Sequence, residues 1–322
     1  MILVTGASGF VGTHLLEALV QQGLPVRALY HKRPPGIQHE LIDWQSCDLL
    51  DVYAVEEVMR GVDKVFHCAA IVSFNKHDRE KVIEHNRTAT AHVVDESLAA
   101  GVNRFIHFSS IAALGRPTKE HNLISEETHW EESILNTAYA RGKHQSEMEV
   151  WRGMAEGLNA AILNPGIILG EGDFHQGSAQ LFQTAYEEFP WYTEGINAWV
   201  DVKDVVRAAL LLMNNEEVQE RFVLAEDNYS YKEIFTWMAE ALGKRPPHRK
   251  ASPFMSKVAW LLSALKAGLK GRQSVLTRET VRTAQAKNHY DNSKFLNTFP
   301  EFKYREMKDT IERVSKSFLK NI

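Results

Sequence analysis

The sequence predicts an α/β fold: a doubly wound parallel sheet with a smaller, mostly helical C-terminal lobe. Three observations predict it. Residues 2–5, 26–30, 62–67 and 104–108 form short, nearly all-apolar runs rich in Val, Ile, Leu and Phe, as strands covered on both faces do. Stretches with helical spacing separate those runs, and Gly23, Gly61 and Gly101 sit just past their ends, where a helix C-terminus favours glycine. Strand–helix–strand repetition then implies right-handed parallel crossovers.

The elements follow in order. Between the first two strands, Val11, Leu15, Leu16, Leu19 and Val20 recur at helical spacing. Residues 51–60 and 88–100 read as further helices. After about residue 165 the rhythm changes, and glycine, aromatics and loops dominate residues 166–199. A strand-to-helix pattern returns at 199–213, and a short strand at 221–224. Ser230-Tyr231-Lys232-Glu233 forms a capping box for a helix over 233–242, with Gly243 after it. The tail from Pro246 onward reads as helical and rich in Lys and Arg.

Composition excludes several classes. The 322 residues carry 37 Lys and Arg against 41 Asp and Glu, a formal net charge of −4, which lacks the electrostatic footprint of a nucleic-acid binder. A 44% hydrophobic fraction is that of a packed globule, not of a disordered chain. The 2 cysteines, Cys47 and Cys68, cannot form a disulfide framework or a Cys-rich zinc module. The 14 histidines show no His-x-x-x-His or His-Glu-x-x-His set, so no metal site is expected. Met1 leads directly into an apolar run with no secretory leader pattern, and no run approaches the length of a membrane span. A cytoplasmic protein is expected.

Chemistry enters at Gly6-Ala7-Ser8-Gly9-Phe10-Val11-Gly12, immediately after the first strand. Gly6 allows a tight turn, Gly9 lets a pyrophosphate approach the backbone, and Gly12 lets the helix pack close to the strand. The helix N-terminus offers unpaired N–H groups and a positive dipole end. Gly6, Ser8, Gly9, Phe10, Val11 and Gly12 are therefore candidate cofactor residues in a Rossmann-type fold. At the end of the second strand an NAD site usually carries Asp or Glu for the ribose 2′-OH. Here the chain reads Tyr30-His31-Lys32-Arg33. Those cations suit the 2′-phosphate of NADP(H), which is the preferred cofactor, with NAD(H) as the alternative. Asp48-Leu49 is placed to meet the adenine edge, and the small residues Cys68-Ala69-Ala70 leave cofactor room at a strand's carboxyl end.

Tyr139-Ala140-Arg141-Gly142-Lys143 puts a phenol and an ammonium on one helical face. Lys143 is expected to lower the Tyr139 pKa and make it a proton donor near neutral pH. Ser109 and Ser110 end the fifth strand at the same crevice.

With these motifs in their order (GASGFVG, CDL, HCAA, Asn86, FSSIAALG, YARGK, NPGIILG and WVDVKDV) the chain resembles the extended short-chain dehydrogenase/reductase superfamily over nearly its whole length. The resemblance implies that Ser110 orients a substrate carbonyl, Tyr139 is the acid/base, and Lys143 also holds the nicotinamide ribose. Ser110 is preferred to Ser109 because it lies five residues before Gly115. Asn86 matches a cofactor-contacting position and joins the catalytic set. Asn164, Pro165, Gly166 and Ile167 match the segment beneath the nicotinamide, and Pro165, Gly166, Ile167 and Ile168 join the candidate cofactor residues. Within the superfamily the chain looks most like the branch of dihydroflavonol reductases, cinnamoyl-CoA reductases and 3β-hydroxysteroid-dehydrogenase-like proteins. Ile111-Ala112 stands where sugar-nucleotide dehydratases carry an acidic pair. Substrate candidates are Ile71, Ser73, Phe74, Ser110, Phe174 and Tyr192, a largely apolar wall.

Residues 1–165 plus 197–224 are expected to form the dinucleotide-binding domain, and 166–196 plus 225–322 the substrate lobe. The reading is NADPH-dependent reduction of a small-molecule ketone or aldehyde. Its rivals are a nucleotide-sugar epimerase or dehydratase with tightly bound NAD, and a non-catalytic NADP-binding sensor or assembly factor. Residues 244–278 hold nine Lys or Arg and no acidic residue. That stretch reads first as an amphipathic helix packed on the lobe, then as a lid; membrane-surface contact through 254–272 is the less favoured reading. The resemblance also implies pairing of two copies into a homodimer.

Overall fold

Strand β1 (Ile2–Thr5) runs into helix α1 (Phe10–Gln21), followed by β2 (Val26–Tyr30), β3 (Ile42–Ser46), α2 (Val52–Met59) and β4 (Lys64–His67). Next come α3 (Arg79–Ala99), β5 (Arg104–Phe108), β6 (Leu123–Ile124), α4 (Ala138–Ala155) and β7 (Ala160–Pro165). The later chain contributes β8 (Ile167–Leu169), α5 (Gln180–Tyr186), β9 (Trp191–Tyr192), β10 (Ile196–Asp201), α6 (Val202–Met213) and β11 (Arg221–Leu224). It ends with β12 (Asp227–Ser230), α7 (Tyr231–Ala241), β13 (Arg249–Lys250), β14 (His289–Tyr290), α8 (Ser293–Thr298) and α9 (Met307–Lys320). This computed structural model describes residues 1–32, 36–72, 79–117, 123–133, 136–251 and 283–322. The candidate residues Arg33, Ser73 and Phe74 and the segment 254–272 lie outside the described residues.

Seven strands form one parallel sheet in the order β3-β2-β1-β4-β5-β7-β11. Successive side chains of a strand point to opposite faces, so each strand feeds two cores. Val4, Phe66, Ile106 and Leu163 pack with Leu15, Leu19, Val205 and Leu212 from α1 and α6. Leu3, Val65, Phe105 and Ile162 pack on the other face with Val55, Val93 and Val150 from α2, α3 and α4. Each fully buried aliphatic or Phe side chain contributes about 1.5–3 kcal/mol, so continuous apolar strands make both faces cohesive. No helix among the described residues is long and apolar enough to cross a membrane.

Two expectations change in detail. The helix expected over 88–100 begins at Arg79. Its first turns, residues 79–87, bury only Val82 and Asn86 among largely charged and polar neighbours, too few apolar positions for a hydrophobicity pattern to register. Within the expected return at 197–224, β11 is the strand that joins the seven-stranded sheet. Strand β10 pairs instead with β8 and β12 in a three-stranded sheet of the lobe. The capping box forms as expected, with Ser230 as N-cap, so α7 opens at Tyr231.

Candidate functional site

The crevice lies at the carboxyl ends of β1, β4, β5 and β7, where the strand order reverses about β1, the usual ligand position in an open α/β sheet. After Thr5 the backbone turns at Gly6, whose φ is +62°. A Cβ there would stand 2.7 Å from Ala69 Cα, and a Cβ on Gly12 would stand 2.3 Å from the Gly6 carbonyl oxygen. Gly9 is the N-cap of α1 and supplies no side-chain cap, so the first N–H groups of that helix face outward without a side chain competing for them. The glycine cradle thus fits a dinucleotide's phosphates by both space and polarity. At the end of β2, Tyr30 stacks edge-on against Trp44 with centroids 6.2 Å apart. His31 and Lys32 beside it are exposed. Asp48 is exposed and accepts from the Leu50 N–H, while the Leu49 carbonyl accepts from His92 Nδ1.

Helix α4 supplies the reactive face. Thr137 caps it by accepting from the Ala140 N–H at 3.0 Å, which puts Tyr139 in the first turn. The Tyr139 hydroxyl shares a hydrogen bond with the Ser110 side chain. Lys143, one turn on, is buried and donates from Nζ to the Phe108 carbonyl at 2.7 Å. Ser110 follows β5 and caps a short turn through the Ala112 N–H. Burial pushes the Lys143 pKa down to about 8, against the opposing pull of Cys68 and Glu147. The expected lowering of the Tyr139 pKa is corrected: burial raises it, and the Ser110 hydrogen bond opposes this only in part.

Other candidates find different places. Asn86 commits one acceptor and one donor of its amide to Ile71. Its Oδ1 accepts from the Ile71 N–H at 2.7 Å and its Nδ2 donates to the Ile71 carbonyl at 2.9 Å. These two bonds tie Asn86 to the crevice loop after β4. Cys68, Ala69, Ala70 and Ile71 line that loop after β4. The Cys68 thiol is pushed far up by burial. Pro165 ends β7, Gly166 holds the Leu224 carbonyl at 2.9 Å, and Ile167 and Ile168 open β8. Phe174 belongs to the lobe core instead of the wall: it is buried edge-on against Phe318 at 5.0 Å. Tyr192 sits in β9 with the Lys232 ammonium 4.8 Å over its ring.

Sequence reasoning missed Glu147, and it found Asn164 only as the first residue of the NPGIILG segment, not as a partner of Glu147 and Ser110. Glu147 continues the Tyr139–Lys143 face by one more turn and is fully buried. It accepts from Asn164 Nδ2 and pairs with Arg221 at 3.2 Å. Asn164 Nδ2 also donates to the Ser110 carbonyl at 3.0 Å. The i+4 spacing was the available signal; the partner residues are far away in sequence.

Comparison with known proteins agrees with this fold. The model of the NAD dependent epimerase/dehydratase family matches residues 2–225. The chain is 29% identical over 272 residues to sterol demethylase protein B of Methylococcus capsulatus, covering 82% of this chain and 81% of that one. It is 28% identical over 244 residues to cinnamoyl-CoA reductase 1 of Petunia hybrida, covering 70% and 72%. The solved structure of gox2253 matches with a TM-score of 0.83 at 26% identity, over 100% of this chain and 98% of that one. The family match ends one residue past β11, the last segment to join the seven-stranded sheet. The chain belongs to the NAD dependent epimerase/dehydratase family.

Proposed function

We propose that this protein is an NADP(H)-preferring reductase of a ketone or aldehyde on a relatively apolar molecule. The observation that carries the reading is the grouping of Ser110, Tyr139 and Lys143 at the mouth of the glycine cradle. A bound nicotinamide supplies a hydride to the carbonyl carbon. Ser110 and Tyr139 bond the carbonyl oxygen, and Tyr139 gives it a proton, so that the product is an alcohol. Lys143 holds a positive charge close to the forming tyrosinate. Gly6, Gly9 and Gly12 hold the phosphates, and His31 and Lys32 lie where a 2′-phosphate would need cations. The relatives' names support an apolar reactant: one names a sterol and the other a cinnamoyl thioester, both carbon-rich.

The test is nicotinamide absorbance on the purified protein, with NADPH or NADH against steroid ketones, flavonoid ketones, CoA thioesters, aldehydes and sugar nucleotides. Net NADPH oxidation with an apolar carbonyl is expected. Tightly held NAD with sugar-nucleotide isomerisation and no net turnover would replace this reading with an epimerase. Tyr139→Phe should lower kcat by about 10²- to 10⁴-fold while leaving the NADPH Kd nearly unchanged. A variant that keeps most of its kcat would remove Tyr139 from the proton step.

A further inference from the structure

Beneath the crevice runs a closed line of hydrogen bonds that the proposed chemistry does not use. The Ala69 N–H donates to Thr5 Oγ1 at 3.2 Å. Thr5 Oγ1 lies 2.8 Å from His67 Nδ1, and His67 Nε2 lies 3.0 Å from Thr90 Oγ1. The Thr90 hydroxyl donates to the Asn86 carbonyl at 2.8 Å. The Asn86 side chain then clasps both backbone groups of Ile71. Thr5, His67, Asn86 and Thr90 are all buried.

The donors and acceptors fix where the protons lie. The one proton of Thr90 goes to the Asn86 carbonyl, so Thr90 must accept from His67, which places a proton on Nε2. Thr5 accepts from Ala69 and keeps its own proton for Nδ1. Burial pushes the His67 pKa down to about 3, with Lys143 adding to the effect, so Nδ1 is bare and free to accept. Every member of the line is then satisfied once, in one polarity.

Its two ends hold the same loop. Ala69 is gripped from β1, directly before the glycine turn, and Ile71 is gripped from α3. At Gly6 the loop is so close that a Cβ would stand 2.7 Å from the Ala69 nitrogen. Asn86 also stands against α4, where a Cβ on Gly142 would come within 3.3 Å of Nδ2.

We propose that His67, with its ring proton on Nε2, is a positioning residue that holds the Cys68–Ile71 loop in register with the glycine turn and the Tyr139–Lys143 helix. Its effect on cofactor binding rests on the reading of this crevice as a nicotinamide site. Its effect on the loop does not.

Thr90→Val removes the hydroxyl while keeping the side-chain shape, and Thr90→Ser keeps the hydroxyl. The Ala69 amide bonds to Thr5 Oγ1, which is linked to Thr90 through the His67 ring, so it reports transmission through that ring. In Thr90→Val, exchange of the Ala69 and Ile71 amides in the cofactor-free protein should quicken about tenfold, the worth of one buried hydrogen bond. Thr90→Ser should restore it. The NADPH Kd should rise by about the same factor. Ala69 exchange that stays at the wild-type rate in folded Thr90→Val would overturn the proposal. So would ring-nitrogen NMR of the wild type that puts the His67 proton on Nδ1, a readout that stands even if Thr90→Val fails to fold. Absence of any NADPH binding by the wild type would instead sink the nicotinamide reading and leave the exchange result to judge His67.

Discussion

Lys143 carries the most consequential titration at the level of single residues. Its folded pKa of about 8 lies below the ordinary lysine value, so the free protein loses this charge as pH rises through that point. The tyrosinate would then form without a nearby cation. The expected kcat/KM profile for reduction falls on its alkaline side with an apparent pKa near the Lys143 value. A profile that stays flat through the ordinary lysine range would detach this charge from the rate. Lys32 makes a second prediction. A charge-assisted hydrogen bond to a 2′-phosphate contributes roughly 1.5–3 kcal/mol, so Lys32→Ala should weaken NADPH binding by about tenfold or more and leave NADH alone. Equal losses for both cofactors would place Lys32 away from the 2′ position.

Elements set the tolerances of the site. Alanine normally gains about 1 kcal/mol over glycine inside a helix. At Gly12 the gain is overruled, since the new Cβ would meet the Gly6 carbonyl at 2.3 Å. Gly12→Ala should therefore melt at a lower temperature than the wild type and bind NADPH more weakly. A melting temperature equal to or above the wild type's would mean that α1 can slide away from β1 at no cost. What was legible in the sequence was local. The glycine turn, the Tyr139–Lys143 pair and the Ser230 capping box each sit within a few residues. What was illegible joins distant segments: Thr5 to His67, Glu147 to Arg221, Asn86 to Ile71. Phe174 misled because an aromatic lining a ligand and one filling a core have the same composition. The first turns of α3 were hidden because they bury a single apolar side chain, Val82, among charged and polar residues.

Across the whole molecule, buried neutral histidines couple folding to acid. His67 and His107 stack at 5.3 Å between centroids, and neither ring nitrogen of His107 has a hydrogen-bond partner among the described residues. Burial holds both pKa values below the ordinary histidine range. The unfolded chain binds protons below about pH 6.5 that the folded chain refuses, so stability is full above that pH and declines as pH falls toward the folded values. Each such histidine steepens the decline by up to about 1.4 kcal/mol per pH unit. Urea midpoints at neutral and mildly acidic pH should differ less in His107→Phe than in the wild type. Equal differences would show that His107 takes up its proton in the folded state.

The pairing of β14 with β6 has a consequence in time. The last strand of the large sheet is complete at Leu224, yet β6 finds its partner only at His289–Tyr290. Asp201, which caps α6, also waits for Thr310 and Arg313 from the final helix. During synthesis, domains fold as their segments emerge. The sheet and its glycine turn can assemble while the ribosome is still making the tail. The contacts made by β14 and α9 must wait until residues 289–320 have emerged, so a chain stalled before them would present a folded glycine turn beside an unpaired β6 and an Asp201 without Thr310 and Arg313.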